Sequence, residues 1–419
     1  MRSALATFST GYFFTLFYLG GFINMVLTKK RTLWLSVLLG SLSAYGPLLV
    51  DMYLPAFPIM EADFHSSASM IQLSLTMCLA GLAIGPIFMG AWSDRVGRKK
   101  PLVIGTALAF TACLLSLVTH NIWLFFLLRF IQGLASSAGQ VITRAVAKDL
   151  FDGKQLTKFI ALLMAINGIF PIISPLIGSA LLRFTSWEGI FGFLGIVGLL
   201  LLLGIILGFK ETHTVSTSAQ SAQQSRLGIQ AIFKDRPFIL FVLIQGLVYG
   251  AMFCYISGSS FMLQNVFSLS KSTFSLIYGI NGIGIILMAE MSTILIHWFD
   301  ELQQLKIGLI GGLIGAICVL ISGFGSNRLW LALIGLFLVV ATLGLINAVV
   351  TSLALQRQGQ HAGIASSVLG LGMYVFGIFL SPLVGVMGSY TYLPLAVLIL
   401  LCEIGALILY QRVIHMVRQ

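Results

Sequence analysis

Apolar residues run along this chain in twelve long blocks, at roughly 33–57, 69–91, 102–119, 122–146, 157–181, 189–209, 238–263, 273–296, 306–325, 329–355, 362–387 and 391–410. Short polar segments separate them. Each block approaches the ~20 residues that carry a helix across a bilayer core. Within that core every backbone polar group must be bonded inside its own segment, so helix is the expected form. The pattern predicts an all-α membrane protein of twelve transmembrane helices. An even number puts both ends of the helical core on one side of the bilayer.

The longest polar stretch, Lys210 to Pro237, is rich in Ser, Thr and Gln and reads as a flexible linker. It divides the chain into an N-terminal six-helix bundle over 29–209, a cytoplasmic linker over 210–237, a C-terminal six-helix bundle over 238–410 and a cytoplasmic tail over 411–419. The two halves echo each other. Ser174-Pro175-Leu176-Ile177-Gly178 recurs as Ser381-Pro382-Leu383-Val384-Gly385 at an offset of 207, and Trp92 and Asp94 recur as Trp298 and Asp300 at an offset of 206. Two matches at nearly one offset predict two six-helix pseudo-repeats. In such an architecture the substrate site lies between the halves near the midplane.

Residues 1–28 stand outside this count. Ala4 to Leu27 is an extra apolar run with no convincing small-residue cleavage site. Three readings stay open: a signal segment, a thirteenth helix, or a translation start at Met25. The last is favoured.

Composition sharpens the class. Hydrophobic residues make up 58% of the 419 and charged residues only 9%, whereas a soluble domain is nearer a quarter charged. The net charge of +11 would suit a nucleic-acid binder, but its distribution argues for topology instead. With the segment after residue 28 placed inside, eighteen Lys and Arg fall in inner segments and three (Arg183, Lys271, Arg328) in outer ones. That is the positive-inside pattern of a multi-pass protein whose core termini are cytoplasmic. No nucleic-acid partner is expected. The five cysteines are scattered and none is in a CxxC pair, so neither a disulfide framework nor a metal site is predicted.

Against this background the few polar groups inside spans stand out. Asp51 lies in the first span and Arg129 in the fourth. Ionisable residues at such depth are costly and tend to be paired or functional. Counted at the helix rise, both lie about 9–10 Å from the outer ends of their spans, so an Asp51–Arg129 pair is expected, with Asp51 as a switchable proton site. Glu290, near the inner end of its span, and Glu403, in mid-span, are the other membrane acids, and Glu403 is the second-choice proton site. Arg144 is expected to pair with a headgroup or with Asp149. Gln132, Gln140, Asn167, Gln245, Asn281 and Asn347 are substrate-cavity candidates, although such residues more often bind helix to helix.

The loop after the second span reads Gly90-Ala-Trp-Ser-Asp94-Arg95-Val-Gly97-Arg98-Lys99. Gly90 would let two helices approach closely, Gly97 would permit a tight turn, and Asp94 could sit at the positive N-terminus of the eleventh helix. Gly90, Asp94, Arg95, Gly97 and Arg98 thereby form a candidate conformational gate. In the fifth span Gly168, Pro171, Pro175 and Gly178 should bend the helix and allow close packing.

The loop resembles the GxxxDRxGRK signature of the major facilitator superfamily, and the fifth span resembles its antiporter helix, with Phe170 and Ser174 where glycine is common. Taken with Asp51-Met-Tyr-Leu-Pro55, Arg129 to Gly133 and Thr143-Arg144-Ala145, residues 32–410 resemble the bicyclomycin-resistance (Bcr/CflA) branch of the twelve-helix drug:proton antiporters. The resemblance implies the major facilitator fold, multidrug efflux across the bacterial inner membrane, antibiotic resistance, and drive from the proton gradient with no cofactor. It implies protons and a small molecule as partners, and a monomer in the lipid bilayer. It makes Asp51 the proton-coupled acid and Arg129 its partner. Two positions depart: Ser43 stands where some relatives carry a second acid, and Ser260 where a proline is expected. Export of a metabolite such as an amino acid or siderophore, and import in the same fold, remain alternatives. An enzyme is not expected, since no HExxH or paired-carboxylate motif is present.

Overall fold

A computed structural model describes residues 29–212, 232–324, 328–358 and 362–417. The apolar segment 1–28, with the start at Met25, and linker residues 213–231 lie outside the described residues. Among those described, twelve helices are long and apolar enough to cross a membrane and no strand occurs. They are α1 (Leu33–Asp63), α2 (Ala68–Val96), α3 (Lys99–Ser116), α4 (Ile122–Leu150), α5 (Gly153–Leu181), α6 (Glu188–Gly208), α7 (Arg236–Val266), α8 (Lys271–Leu295), α9 (Glu301–Ser322), α10 (Leu329–Gln358), α11 (Ile364–Gly385) and α12 (Leu393–Met416).

Short polar side chains start several of these helices by accepting from backbone N–H groups that would otherwise lack a partner. Ser67 caps α2, Asn121 caps α4, Asp235 caps α7 and Ser270 caps α8. Asp300 and Gln303 form a reciprocal capping box at α9. Each cap falls where an apolar block begins, which is why the twelve blocks and the twelve helices correspond.

The first span differs from expectation. It runs to Asp63 rather than 57, and it breaks at Asp51-Met52-Tyr53 before a tight turn at Leu54–Ala56 and a last helical piece, Phe57–Asp63. Pro55 and Pro58 lack N–H groups and cannot continue an α-helical ladder from the preceding turn. Asp51 therefore ends the straight part of α1.

Packing repeats between the halves. In the first half α4 packs on α1, α2 and α3, α3 on α6, and α1 on α5; in the second α10 packs on α7, α8 and α9, α9 on α12, and α7 on α11. The halves meet mainly where α2 packs on α11 and α5 on α8, with further contacts of α1 on α7 and α8 and of α2 on α7. With no hydrophobic drive between helices in lipid, close packing must hold these seams. Gly133 of α4 lies against the Cys78 carbonyl of α2, and Gly344 of α10 against the Ile285 carbonyl of α8, so closely that any Cβ would clash. The close approach expected at Gly90 does not occur, because a Cβ there would sit 3.4 Å from Val141, its nearest neighbour. Gly81 and Gly85 bring α2 onto α4 instead.

Hydrogen bonds between the halves gather toward the end of the bundle that carries the α1–α2, α5–α6 and α7–α8 loops, here the distal face. Ser260 donates to the Leu54 carbonyl (2.6 Å), Gln264 to the Pro55 carbonyl (3.3 Å) and Ser275 to the Pro175 carbonyl (2.8 Å). Gln72 donates to the Ser257 carbonyl and Arg183 to Ser272. Toward the opposite face, where the helical core begins and ends, Gly168 of α5 lies opposite Ile286 of α8, and Ala161, Ala165, Glu290 and Thr293 are exposed. The described hydrogen bonds between the halves thus lie toward the distal face.

Gly133→Leu should lower the melting temperature measured by fluorescence-detected size exclusion, since an overpacked interior costs about 1–3 kcal/mol or more. Gly90→Ala should leave it near wild type. Equal effects would contradict the seam assigned to Gly133.

Candidate functional site

The site is built around the break in α1. Arg129 of α4 is fully buried. Its Nη1 donates to Gln132 Oε1 at 2.6 Å and its Nη2 to the Leu49 carbonyl at 2.8 Å. Its guanidinium also stacks over the Tyr53 ring, 4.3 Å from the centroid, with Phe191 of α6 further off at 5.7 Å. A break exposes the carbonyls of the last helical turn, and the Leu49 carbonyl is one of these. Cation–π attraction is strongest where water is excluded.

This arrangement corrects the expected Asp51–Arg129 pair. Depth did place the two residues at one level, but Arg129 donates to a carbonyl, an amide and a ring face, and none of the described ion pairs joins it to Asp51. Asp51, only 4% exposed, accepts from the hydroxyl of Tyr278 on α8 at 3.0 Å. The partner of the acid thus comes from the other half of the molecule. Behind Tyr278 lies Tyr255 of α7, its ring 5.4 Å away and 18° from parallel, and Asn281 donates to the Tyr255 hydroxyl at 3.0 Å. No sequence signal singled out Tyr278 or Tyr255. The Tyr278–Asn281 spacing on one helix face is the clue that was present.

Most cavity candidates hold helices together. Gln132 is occupied by Arg129 and donates to Ser116. Asn167 pairs with Ser43 of α1 at 2.9 Å, so the position where a second acid might have stood is a neutral helix contact. Gln245 donates to Asn347 at 2.6 Å, joining α7 to α10. Gln140 is half-buried, its amide lying against Gly46. On α5 Gly178 meets the Met52 carbonyl just past Asp51, Gly168 lies opposite Ile286, and Pro171 and Pro175 sit within one continuous helix. Ser260, the departure from proline, uses its hydroxyl for the Leu54 contact that proline could not make.

The loop from Gly90 to Lys99 forms a second polar cluster at the terminal face. Gly97 adopts a φ of +92°, as its tight turn requires, and lies against the Glu211 carboxylate. Glu211, just past α6, accepts from the backbone N–H of Arg98 (2.8 Å) and of Lys99 (3.0 Å). Arg98 is buried and bonds Asp94, Ser93 and Asp149. Burial disfavours its charge, but the Asp149 and Asp94 carboxylates outweigh that and hold the guanidinium above its usual range. Asp94 therefore faces Arg98 in its own loop, with a side chain 66% exposed, and not the start of α11. Arg95 is exposed. Asp149 is taken by Arg98, so Arg144 does not pair with it and stands exposed within electrostatic reach of Tyr374 on α11.

Glu403 is fully buried in α12 against Gly312, and neither carboxyl oxygen accepts a hydrogen bond. Among the described residues no group of His, Cys, Asp and Glu is arranged to hold a metal.

A model of the Major Facilitator Superfamily matches residues 33–382. The chain is 37% identical over 384 residues to the uncharacterized MFS-type transporter YdgK of Bacillus subtilis, covering 91% of this chain and 95% of that one. It is 25% identical to the bicyclomycin resistance protein homolog of Haemophilus influenzae, covering 91% and 96%. It is 26% identical to the multidrug resistance protein MdtL of Shigella dysenteriae, covering 87% and 91%. In fold it matches the nucleoside transporter NupG with a TM-score of 0.72 at 14% identity, over 91% of this chain and 99% of that one. A bacterial homologue of the lysosomal transporter Spinster, captured inward-facing and unoccupied, matches at 0.71 and 14%, over 93% and 98%.

Asp149→Ala should destabilise the protein more than Asp94→Ala. It leaves a buried guanidinium short of a partner, a loss of about 1–3 kcal/mol, whereas an exposed ion pair is worth about 1 kcal/mol or less. Thermal melting of the two variants checks the order, and the reverse order would refute the cluster's geometry.

Proposed function

Because the chain belongs to the Major Facilitator Superfamily, in its bicyclomycin-resistance-like (Bcr/CflA) branch, and is accordingly a multi-pass membrane transporter, we propose that it exports drug-like small molecules in exchange for protons. One observation carries the proposal. A single carboxylate, Asp51, lies buried at the break in α1, at the level where the two halves meet, with no cation bonded to it. Such a group can cycle between a protonated and an ionised form as access to it changes. The resistance proteins among the relatives favour export of foreign compounds, and the twin prolines of α5 fit the antiporter reading.

The proposed cycle is alternating access. We place the terminal face in the cytoplasm, where the basic loops belong, in a bacterial inner membrane. Residues 33–209 rock against 238–410, and the conformation described above is the one open to the cytoplasm. Substrate enters between the terminal-face ends of α5 and α8. Opening of the distal face then lets a proton reach Asp51 and substrate leave. Proton entry supplies about 2.3 kcal/mol per 100 mV of membrane potential, to which a pH gradient adds. Arg129 serves in this scheme as the anchor that holds the break in α1, and the Gly90 to Lys99 loop as the conformational gate.

Everted membrane vesicles acidified inside should accumulate a fluorescent drug such as ethidium when they carry the wild-type chain. Asp51→Asn at equal expression should abolish gradient-driven accumulation. Retained accumulation in Asp51→Asn would refute Asp51 as the coupling acid. Gradient-driven uptake by right-side-out vesicles instead would show import.

A further inference from the structure

We propose that the Tyr278–Asp51 hydrogen bond is a latch between the two halves, which keeps the empty, ionised carrier from opening at the distal face until a proton or a substrate releases it. The proposal rests on the reading of Asp51 as the proton-coupled acid.

The argument begins with what joins the halves at the distal face. Seven described hydrogen bonds cross there: Gln72 to the Ser257 carbonyl, Ser260 to Leu54, Gln264 to Pro55, Ser275 to Pro175, Arg183 to Ser272, Ser389 to the Glu61 carboxylate, and Tyr278 to Asp51. The first four end on backbone carbonyls, whose strength as acceptors does not change with pH. Arg183 to Ser272 has no titratable acceptor either. Tyr278 to Asp51 ends on a carboxylate. Ionised, that acceptor makes a charge-assisted bond of roughly twice the strength of a neutral one. Protonated, it makes an ordinary bond. Of these seven contacts, two end on carboxylates: Ser389 to the half-buried Glu61 at the rim, and Tyr278 to Asp51, the buried acid at the break in α1 that the proposed cycle protonates.

The geometry makes Tyr278 a fixed donor. It is 4% exposed, and its ring is stacked on Tyr255, which Asn281 holds by its hydroxyl. Ser275, one turn away on the same face of α8, is bonded to α5. The hydroxyl cannot follow Asp51 if α8 separates from α1, so opening the distal face must break the bond.

Obligatory exchange imposes a requirement that this bond meets. If the empty, ionised carrier changed face freely, protons or substrate would leak. A latch strongest when Asp51 is ionised and unoccupied blocks that step. Protonation weakens it. A substrate that hydrogen-bonds or pairs with Asp51 displaces the phenol and also releases it. Either ligand alone thus permits the change of face, which is the rule of an antiporter.

Other titratable groups face Asp51 from the elements around it: Cys78 of α2, Tyr255 of α7, Tyr278 of α8 and Tyr374 of α11 stand within electrostatic reach, Arg129 of α4 bonds the nearby Leu49 carbonyl, and Arg144 faces Tyr374. Thiols, phenols and guanidinium groups ordinarily titrate at about pH 8.5 or higher, so a transition at lower pH reports a carboxyl, and that of Asp51 once Glu61, which meets Ser389 at the same face, is neutralised.

The test measures distal opening directly. The full chain, with its five cysteines replaced and Glu61→Gln to remove the other carboxylate that meets the opposite half, receives spin labels at Phe184→Cys and Tyr390→Cys, exposed positions in the α5–α6 and α11–α12 loops. Double electron–electron resonance gives the label distances at about pH 8 and about pH 5.5, a window that spans raised carboxyls and excludes phenols. Wild type should be mostly short-distance at the higher pH, and its ratio of long to short distances should rise about tenfold on acidification as the charge assistance is lost. Tyr278→Phe should show the long distance at both pH values with little pH dependence. Ser275→Ala, which removes a neighbouring neutral contact, should shift both populations alike and keep the pH dependence. A wild-type pH response in Tyr278→Phe, with the response lost in Asp51→Asn, would overturn the latch and leave Asp51 as the coupling acid. A response that survives in Asp51→Asn would overturn the coupling reading and the latch with it. Should Tyr278→Phe fail to fold, infrared difference spectra of the ring-labelled wild type decide. A tyrosine C–O band should move on acidification and stay still in Asp51→Asn, and a band that never moves refutes the proposal.

Discussion

A guanidinium buried in a bilayer needs partners for its donors and a home for its charge, and the N-terminal half is organised around meeting that need for Arg129. Its contacts reach four helices. Gln132 lies on its own helix, the Leu49 carbonyl and the Tyr53 ring flank the break in α1, Phe191 comes from α6, and Gln132 is in turn tied to Ser116 of α3. The cation is thus held mainly by dipoles and a ring face, with its buried Nε making no hydrogen bond. An ion pair at this depth would bring a second desolvation cost, and the strength of such pairs depends on excellent geometry. Arg129 instead stabilises the carbonyl that the end of the helix leaves exposed. Asp51, two residues further on, keeps its carboxylate available.

That availability gives the second half of the molecule its part. Since no cation bonds Asp51, its hydrogen-bond partner can come from across the interface, and Tyr278 provides it. The same helix, α8, carries Ser275 onto α5 and packs its glycines Gly279 and Gly282 against Ile172. One helix face therefore serves both as a bearing surface between the halves and as the donor to the acid. Charge on one side and movement on the other meet in a single contact.

The elements were largely legible from the chain because lipid makes hydrophobic length so strong a signal. Twelve blocks became twelve helices, and Asn121, Ser270 and Asp300 mark helix starts as short polar caps do. The depth count brought Asp51 and Arg129 to one level. It failed on who bonds whom, because helical rise gives height and not azimuth, and because carbonyls and ring faces are partners that charge counting does not see. The same blindness hid Glu211, whose acid bonds backbone N–H groups, and let Asp94 be aimed at α11 when Arg98 was four residues away on the next turn. Most polar residues proposed for the cavity proved to bind helices to one another, the commoner role of amides in membranes. Tyr278 was missed because a tyrosine in a run rich in aromatic and aliphatic residues carries no mark of its own.

The duplicated architecture makes the remaining asymmetry informative. At the offset of 207, Gly258 stands where Asp51 does, and at the offset of 211 that relates Gly133 to Gly344, Val340 stands where Arg129 does. The second half retains the packing of the first, down to a glycine pressed on a carbonyl at Gly133 and again at Gly344, but not its charges at the break. Fold and charge have separated: the helical scaffold is kept twice, the acid and its neighbouring cation once. Each buried ionisable group costs stability in lipid, so a second set would have to contribute something the first does not. A carrier that needs only one buried acid at the break can leave the other half neutral there, and use its side of the interface to sense the acid through a phenol that is fixed in place by stacking. Glu403, buried and unbonded in the second half's own core, lies apart from that interface against α9, and none of the described hydrogen bonds that close the distal face involves it.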